Sequence, residues 1–219
     1  MSSKTPDTFE EQFKKFTQDR RVIQVMRLAR AASQIIYCTE PLQNKSGKSG
    51  RQLINSLLIS SATLYEAVNT FNGLGELKGY KAYQDLSAIL NGDPLIQRFL
   101  SHNIETFRNQ LVFHFDDFVS PVLKDMVTTD SDLPDKEIPA IDLVGDVADV
   151  IAVHYFLQRH FPNWSGSRAF SNVYDKFIDS TNNFLKYTEM LIEEVFNDLR
   201  KDYPATDRIY WSLKKQFLG

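Results

Sequence analysis

The sequence predicts an all-α fold, a single helical bundle of about five to seven helices. Apolar residues recur at spacings of three, four and seven along most of the chain, as they do on one face of a helix. No run of residues alternates apolar and polar side chains between turn signals, which is the pattern of a half-buried strand. A hydrophobic content of 42%, with sixteen Phe and nine Tyr, supplies enough large apolar side chains for a core.

The same spacing, together with caps, prolines and glycines, places the individual helices. We predict helices over Phe9–Cys38, Gln52–Asn72, Tyr80–Leu90, Asp93–Phe118, Ile141–His160, Ser167–Asp202 and Asp207–Phe217. In the first of these, the predicted apolar stripe includes Phe16, Ile23 and Met26. A polar loop over 43–50 and an acidic loop over 128–139 separate helices. No internal repeat is visible, so we expect one domain over residues 1–219.

Composition restricts the kind of protein this can be. Cys38 is the one cysteine, which excludes an internal disulfide and is typical of a reducing compartment. We expect no signal peptide, because residues 1–11 are polar, and no membrane partner, because no apolar run is long enough for a membrane helix. The net charge of −3 means that any nucleic-acid contact must come from a local patch. These features predict a cytoplasmic protein.

The predicted helix over 93–118 has the clearest start in the chain and two apolar bands. Asp93 is a preferred N-cap residue, and Pro94 falls at the first helical position, where its missing N–H costs nothing. A narrow stripe that includes Phe107 and Leu111 is the predicted core face. A second band lies about 60–140° round the helix and consists of Ile104, Val112 and Phe115. One face is enough for packing within a bundle, so the second band predicts a partner, in particular a homodimer through 93–118.

A short motif lies on this helix. Arg108 and Asn109 are followed, after four residues, by His114, within the run Phe107-Arg-Asn-Gln-Leu-Val-Phe-His-Phe-Asp116. This run resembles the Arg-polar-(four to six)-His motif of HEPN domains, which are helical bundles of toxin–antitoxin, abortive-infection and other RNA-targeting systems. The close resemblance covers about ten residues. It implies a HEPN-like core over about 7–126, with C-terminal helices over 140–219 that pack on it.

The resemblance implies metal-independent RNA cleavage by a homodimer, with RNA as substrate, no cofactor and a cognate antitoxin protein as a further partner. His114 would be the base that takes the proton of an RNA 2′-hydroxyl, or the acid for the leaving oxygen. Arg108 would hold the phosphate oxygens, since a guanidinium matches them bidentately. Asn109 would orient either group or the substrate. Because Arg108 and His114 project about 120° apart on one helix, they cannot easily meet there, and we expect either a composite site from two facing helices or a local distortion of the helix.

Other interpretations of these residues stay open. His114 lies on the predicted core stripe, where a histidine can simply be buried, and Arg108 can belong to an interfacial ion pair. The alternative function is therefore a non-catalytic HEPN-like helical module for dimerisation or protein interaction. Glu66, on the second predicted helix, is the acidic residue that we consider as a partner for Arg108.

Two further patterns favour ordinary structure. The segment 47–49, Gly-Lys-Ser, ends like a phosphate-binding loop, but Leu42 stands where its first glycine belongs and a helix precedes it. We interpret it as a flexible loop. Arg20, Arg27 and Arg30 lie near one face of the first helix, with Arg21 beside them. They could follow a phosphate backbone, but a solvated face is the simpler interpretation.

Overall fold

A computed structural model describes residues 7–43, 50–92, 97, 144, 147–148 and 167–218. These residues form six α-helices and one short 3₁₀ turn, Gly75–Leu77, and they contain no strand. The helices are α1 (Phe9–Gln18), α2 (Arg20–Gln43), α3 (Gly50–Asn72), α4 (Lys81–Gly92), α5 (Ser167–Asp202) and α6 (Thr206–Leu218). The predicted all-α fold is therefore confirmed. Most of each helix predicted over 93–118 and 141–160 lies outside the described residues. The same holds for the predicted loop over 43–50 except its two end residues, and for the whole predicted loop over 128–139.

Helix α5 has the bounds that the sequence predicts, Ser167–Asp202. The sequence predicts an apolar stripe along it at Phe170, Tyr174, Phe177, Phe184, Leu191, Val195 and Leu199. Of the members whose side chains are described, Tyr174 is half-buried and the others are buried. Phe177, Phe184 and Leu191 follow one another at seven-residue intervals and are fully buried, as are Val195 and Leu199. Seven residues are almost two helical turns, so this spacing keeps all five side chains on one face of a long helix.

The single helix predicted over Phe9–Cys38 is wrong, because the chain breaks at Asp19. The backbone of Asp19 is extended, with φ −69° and ψ 121°, and it separates α1 from α2. Its carboxylate accepts a hydrogen bond from the backbone N–H of Arg21 at 2.8 Å, and its carbonyl accepts the bond from Ile23 at 3.3 Å. These are the two bonds of an N-cap residue, so Asp19 ends one helix and begins the next.

This break also moves the buried face of α2. Ile23 and Met26, predicted in the core stripe, are each 49% exposed, whereas Val22, Val25 and Leu28 are buried. A continuous helix from Phe16 would carry its buried face to Ile23, seven residues on. The extended backbone of Asp19 rotates α2 about its axis by about one residue position, or 100°, so that Val22 is buried instead of Ile23.

The described residues form two compact units. Unit one comprises those of Met1–Ser33, Ala67–Gly92 and Asn182–Gly219, and unit two those of Gln34–Glu66 and Asp93–Thr181. The expectation of one domain over 1–219, with a core over 7–126, stays a prediction.

Aromatic side chains form much of the core of unit one. The ring of Phe71, on α3, stacks on Tyr83 of α4 at 4.3 Å and meets the edge of Phe184 of α5 at 6.3 Å. Phe16, on α1, packs against Tyr203 at 5.7 Å and Tyr210 at 5.3 Å, both nearly perpendicular to it. These contacts join α3 to α4 and α5, and they join α1 to α6 and to Tyr203, the residue that follows α5.

Unit two includes the paired segments of α2 and α3. The Ser60 hydroxyl donates to the carbonyl of Cys38 at 2.7 Å, and Thr63 donates to the Cys38 Sγ atom at 3.5 Å. The Tyr174 hydroxyl, on α5, donates to the carbonyl of Leu42 at 3.2 Å. The small hydroxyl-bearing residues Ser60 and Thr63 of α3 therefore contact Cys38 of α2 directly. Within the described ranges, no helix is both long enough and apolar enough to cross a membrane.

Candidate functional site

The motif residues Arg108, Asn109 and His114 lie outside the described residues, as does the apolar band of Ile104, Val112 and Phe115. Their roles and the homodimer through 93–118 therefore stay predictions. Glu66, the acidic residue considered for Arg108, is exposed on α3 in unit two. The 47–49 segment also falls outside the part of the chain that the structure describes.

A cluster of charged and polar side chains in unit one surrounds the junction of α1 and α2. Arg21 donates to both carboxylate oxygens of Asp19, with the shortest distance 2.7 Å from Nη2 to Oδ2. The same Nη2 atom lies 2.7 Å from a carboxylate oxygen of Asp202, at the end of α5. The Tyr203 hydroxyl donates to Asp19 at 3.1 Å. The cluster thus joins the first helix break to the end of α5, across 181 residues of sequence for Arg21 and Asp202.

Burial and hydrogen bonding act in opposite directions on Asp19. Its side chain is 11% exposed, and this burial alone would raise the pKa of its carboxyl group. The hydrogen bonds from Arg21 and Tyr203 outweigh burial, so that the pKa lies below its usual range. The hydrogen bond to Asp19 likewise raises the pKa of the Arg21 guanidinium. Both groups are therefore held in their charged forms near neutral pH.

This electrostatic state suits a structural cluster better than a catalytic one. A carboxylate whose pKa is lowered is a poor proton donor at neutral pH, and its oxygens already accept hydrogen bonds from Arg21 and Tyr203. Sequence reasoning did not single out Asp19. Its signal was present, since an Asp that precedes an apolar helical pattern is a common N-cap. The partnership with Asp202 had no local signal.

The structure divides the predicted row of arginines on α2. Arg27 and Arg30 are exposed, and Ile23 and Met26 lie exposed beside them. Arg20 reaches Glu76 at 3.4 Å, with its own side chain 81% exposed. Arg21 does not belong to this face, because it is half-buried in the cluster with Asp19. The outer face of α2 in unit one therefore mixes apolar and cationic side chains.

Helix α4 borders a shallow groove of about 770 Å³ in unit one. Its lining includes the side chains of Lys78, Tyr83, Gln84, Ser87 and Asn91. Lys78 is the charged member among the described lining residues, and they include no carboxylate or imidazole. The groove can therefore offer hydrogen bonds and one cation, but not an acid–base pair from its own described residues.

The N-terminus of α4 is held by an acidic side chain from α5. The backbone N–H of Ala82 donates to Glu194 Oε2 at 3.1 Å. A carboxylate at this end of a helix satisfies an otherwise unpaired N–H and interacts favourably with the helix dipole. Glu194 thus positions the start of α4.

Among the described residues, no group of three His, Cys, Asp or Glu side chains is arranged to bind a metal ion.

No protein-family model, curated protein or solved structure matches this chain. Functional interpretation therefore depends on the residues themselves.

The charge of Asp19 should stabilise the fold in a pH-dependent manner. Asn is as good an N-cap as Asp, so Asp19→Asn removes the charge and keeps the cap. We expect this variant to lose about 1–2 kcal/mol of unfolding free energy at pH 7, as for a partly buried ion pair. Because the pKa of Asp19 is lowered on folding, its contribution is present above the unfolded value of about 3.9 and is lost as the pH falls through the folded value.

Urea unfolding at several pH values measures this effect. The difference between wild type and Asp19→Asn should shrink as the pH falls below about 4 and the wild-type carboxylate is protonated. Asp207→Asn is the matched control, since its exposed pair with Arg200 should matter little. A deficit of equal size at pH 7 and pH 2 would mean that the loss does not come from the charge.

Proposed function

We propose that this protein is a HEPN-like, metal-independent ribonuclease of the defence or toxin–antitoxin type that acts as a homodimer in the cytoplasm. The observation that carries the proposal is the spacing Arg108-Asn109-(four residues)-His114 in an all-α chain. The confirmed all-α fold agrees with the fold class of that family. A cognate antitoxin protein is part of the same proposal.

The residue types of the motif suit cleavage through the RNA 2′-hydroxyl. A neutral imidazole has a pKa near 6.5 and can accept the hydroxyl proton near neutral pH. A guanidinium can bind the phosphate oxygens, on which charge develops in the transition state. Since His114 and Arg108 project about 120° apart on an ideal helix, the proposal pairs His114 of one copy with Arg108 of the other. The homodimer is therefore part of the mechanism.

Removal of either motif side chain should abolish most cleavage. His114→Ala should lower the rate about 10²–10⁴-fold, and Arg108→Ala about 10²–10³-fold, in buffer that contains EDTA. The assay is cleavage of a fluorescently labelled single-stranded RNA, with far-UV circular dichroism to confirm that each variant remains helical. The wild-type rate should rise with pH through about 6.5, if His114 is the base.

His102→Ala is the matched control, because His102 is outside the motif and projects about 120° from both Arg108 and His114 on the same predicted helix. It should cleave at the wild-type rate. Equal cleavage by wild type and His114→Ala would identify a contaminating nuclease and would overturn the catalytic assignment.

A specific observation favours a second candidate function, a non-catalytic module for dimerisation or protein interaction. Ile23 and Met26 are half-exposed on α2, beside Arg27 and Arg30. Methionine and arginine are enriched at protein interfaces. Under this alternative, the apolar band on the 93–118 helix would serve assembly alone, and Arg108 and His114 would have no substrate.

The homodimer can be tested apart from catalysis. Val112→Arg would place an unpaired charge in the proposed interface and should yield a folded monomer. Analytical ultracentrifugation at tens of micromolar protein should show a dimer for wild type and a monomer for the variant. Thr106→Arg, on the polar arc of the same predicted helix, should stay dimeric. A monomeric wild type would contradict the dimer, and an unfolded Val112→Arg variant would show that the band is core.

A further inference from the structure

Helix α6 carries an exposed tryptophan between cationic side chains. The Trp211 side chain is 56% exposed. The Nζ atoms of Lys214 and Lys215 lie 5.4 and 5.9 Å from the centroid of its ring. Both distances fall within the range of cation–π attraction. An indole of this size is usually largely buried, so its exposure on a well-packed helix calls for an explanation.

The opposite face of α6 fixes this orientation. Ile209 and Thr206 are fully buried, and the Tyr210 ring packs against Phe16 at 5.3 Å and Phe196 at 5.1 Å. With this side in the core of unit one, the helical period turns Trp211 outward. Arg208, Trp211, Lys214 and Lys215 then share an arc of about 120° on the outer side. We call these four residues the α6 basic patch.

The patch has a net positive charge in a chain whose total charge is −3. The neighbouring acidic residue, Asp207, is engaged by Arg200, with distances of 2.8 and 3.1 Å to its two oxygens. Arg208 lies over the ring of Phe9 at 4.4 Å and keeps its charge exposed at the edge of the patch. Within the described ranges, no acidic side chain forms an ion pair with Lys214 or Lys215.

We propose that the α6 basic patch binds single-stranded RNA, with a base stacked on Trp211 and the flanking phosphates on Lys214, Lys215 and Arg208. An aromatic platform between cations is how many proteins hold single strands without sequence preference. This contact is separate from the cleavage motif and does not require that the motif be active. It would hold an RNA chain on unit one, whatever cleaves it.

RNA explains the patch better than a lipid surface or a protein does. A helix that lies in a membrane interface needs a broad apolar face, but the apolar face of α6 is buried in unit one. A protein interface needs a contiguous apolar centre, whereas the described side chains on this arc are one indole, three cations and the carboxylate of Asp207. Stacking of a single base requires only one exposed ring, and each phosphate requires only one cation.

The test uses a 12-nucleotide 2′-O-methyl oligouridine, which cannot be cut through a 2′-hydroxyl, so binding is measured apart from cleavage. Fluorescence anisotropy on the full-length protein at about 50 mM salt gives the affinity. Trp211→Ala should weaken binding about 5- to 100-fold, as expected for loss of one stacked base, and Trp211→Phe should restore most of the affinity. Lys214→Gln/Lys215→Gln should weaken binding and lower the slope of log affinity against log salt by about 1.4, or 0.7 for each phosphate contact.

Lys14→Gln/Lys186→Gln is the matched control, because it removes the same charge from exposed lysines elsewhere in unit one. It should leave affinity nearly unchanged, and thermal unfolding should confirm that all variants stay folded. Equal loss in this control, or unchanged affinity in Trp211→Ala, would overturn the proposal. Vesicles of phosphatidylserine and phosphatidylcholine form a second arm. Binding to them that depends on Trp211, without binding to the oligouridine, would assign the patch to lipid instead.

Discussion

The packing of unit one depends on the buried stripe of α5. Phe184, Leu191, Val195 and Leu199 are fully buried on one side of this helix, and each such side chain contributes about 1.5–3 kcal/mol relative to exposure. The other helices of the unit meet α5 or the residues just after it. Phe71 of α3 contacts Phe184, Glu194 caps α4, and Phe196 packs on Tyr210 of α6. Without this stripe, these elements would lose their common contact surface.

One polar cluster ties the start of the chain to the end of that helix. The Asp19 carboxylate caps α2 and binds Arg21, which in turn reaches Asp202. The stripe itself includes Thr188, whose hydroxyl is buried without a hydrogen-bond partner among the described residues. An unpaired buried hydroxyl costs free energy, so the apolar neighbours of Thr188 must offset it. The orientation of α6, and with it the outward position of Trp211, follows from the same core.

The success of the sequence predictions depends on how local each signal is. The seven-residue spacing of Phe177, Phe184 and Leu191 is a local signal, and the helix predicted from about Ser167 to Asp202 agrees with α5. The prediction of one helix over 9–38 was wrong because the apolar spacing continues through Asp19. The break depends on the extended backbone of that single residue, which the spacing does not indicate. The Arg21–Asp202 pair joins distant residues, so no pattern in either segment predicts it. For the candidate site, the motif of Arg108 and His114 is a sequence prediction that the described residues leave untested. The exposure of Trp211 could not be predicted from the sequence, because it depends on which face of α6 packs into the core.

If the Arg108–His114 motif cleaves RNA through its 2′-hydroxyl, as we propose, the chemistry of the product ends must show it. RNA cut by the purified protein in EDTA should be analysed by mass spectrometry, next to an otherwise identical substrate with one 2′-deoxy sugar at the scissile position. We expect a 2′,3′-cyclic phosphate on the RNA product and no cleavage at the deoxy position. A 5′-phosphate with a free 3′-hydroxyl, or equal cleavage of the deoxy substrate, would contradict it.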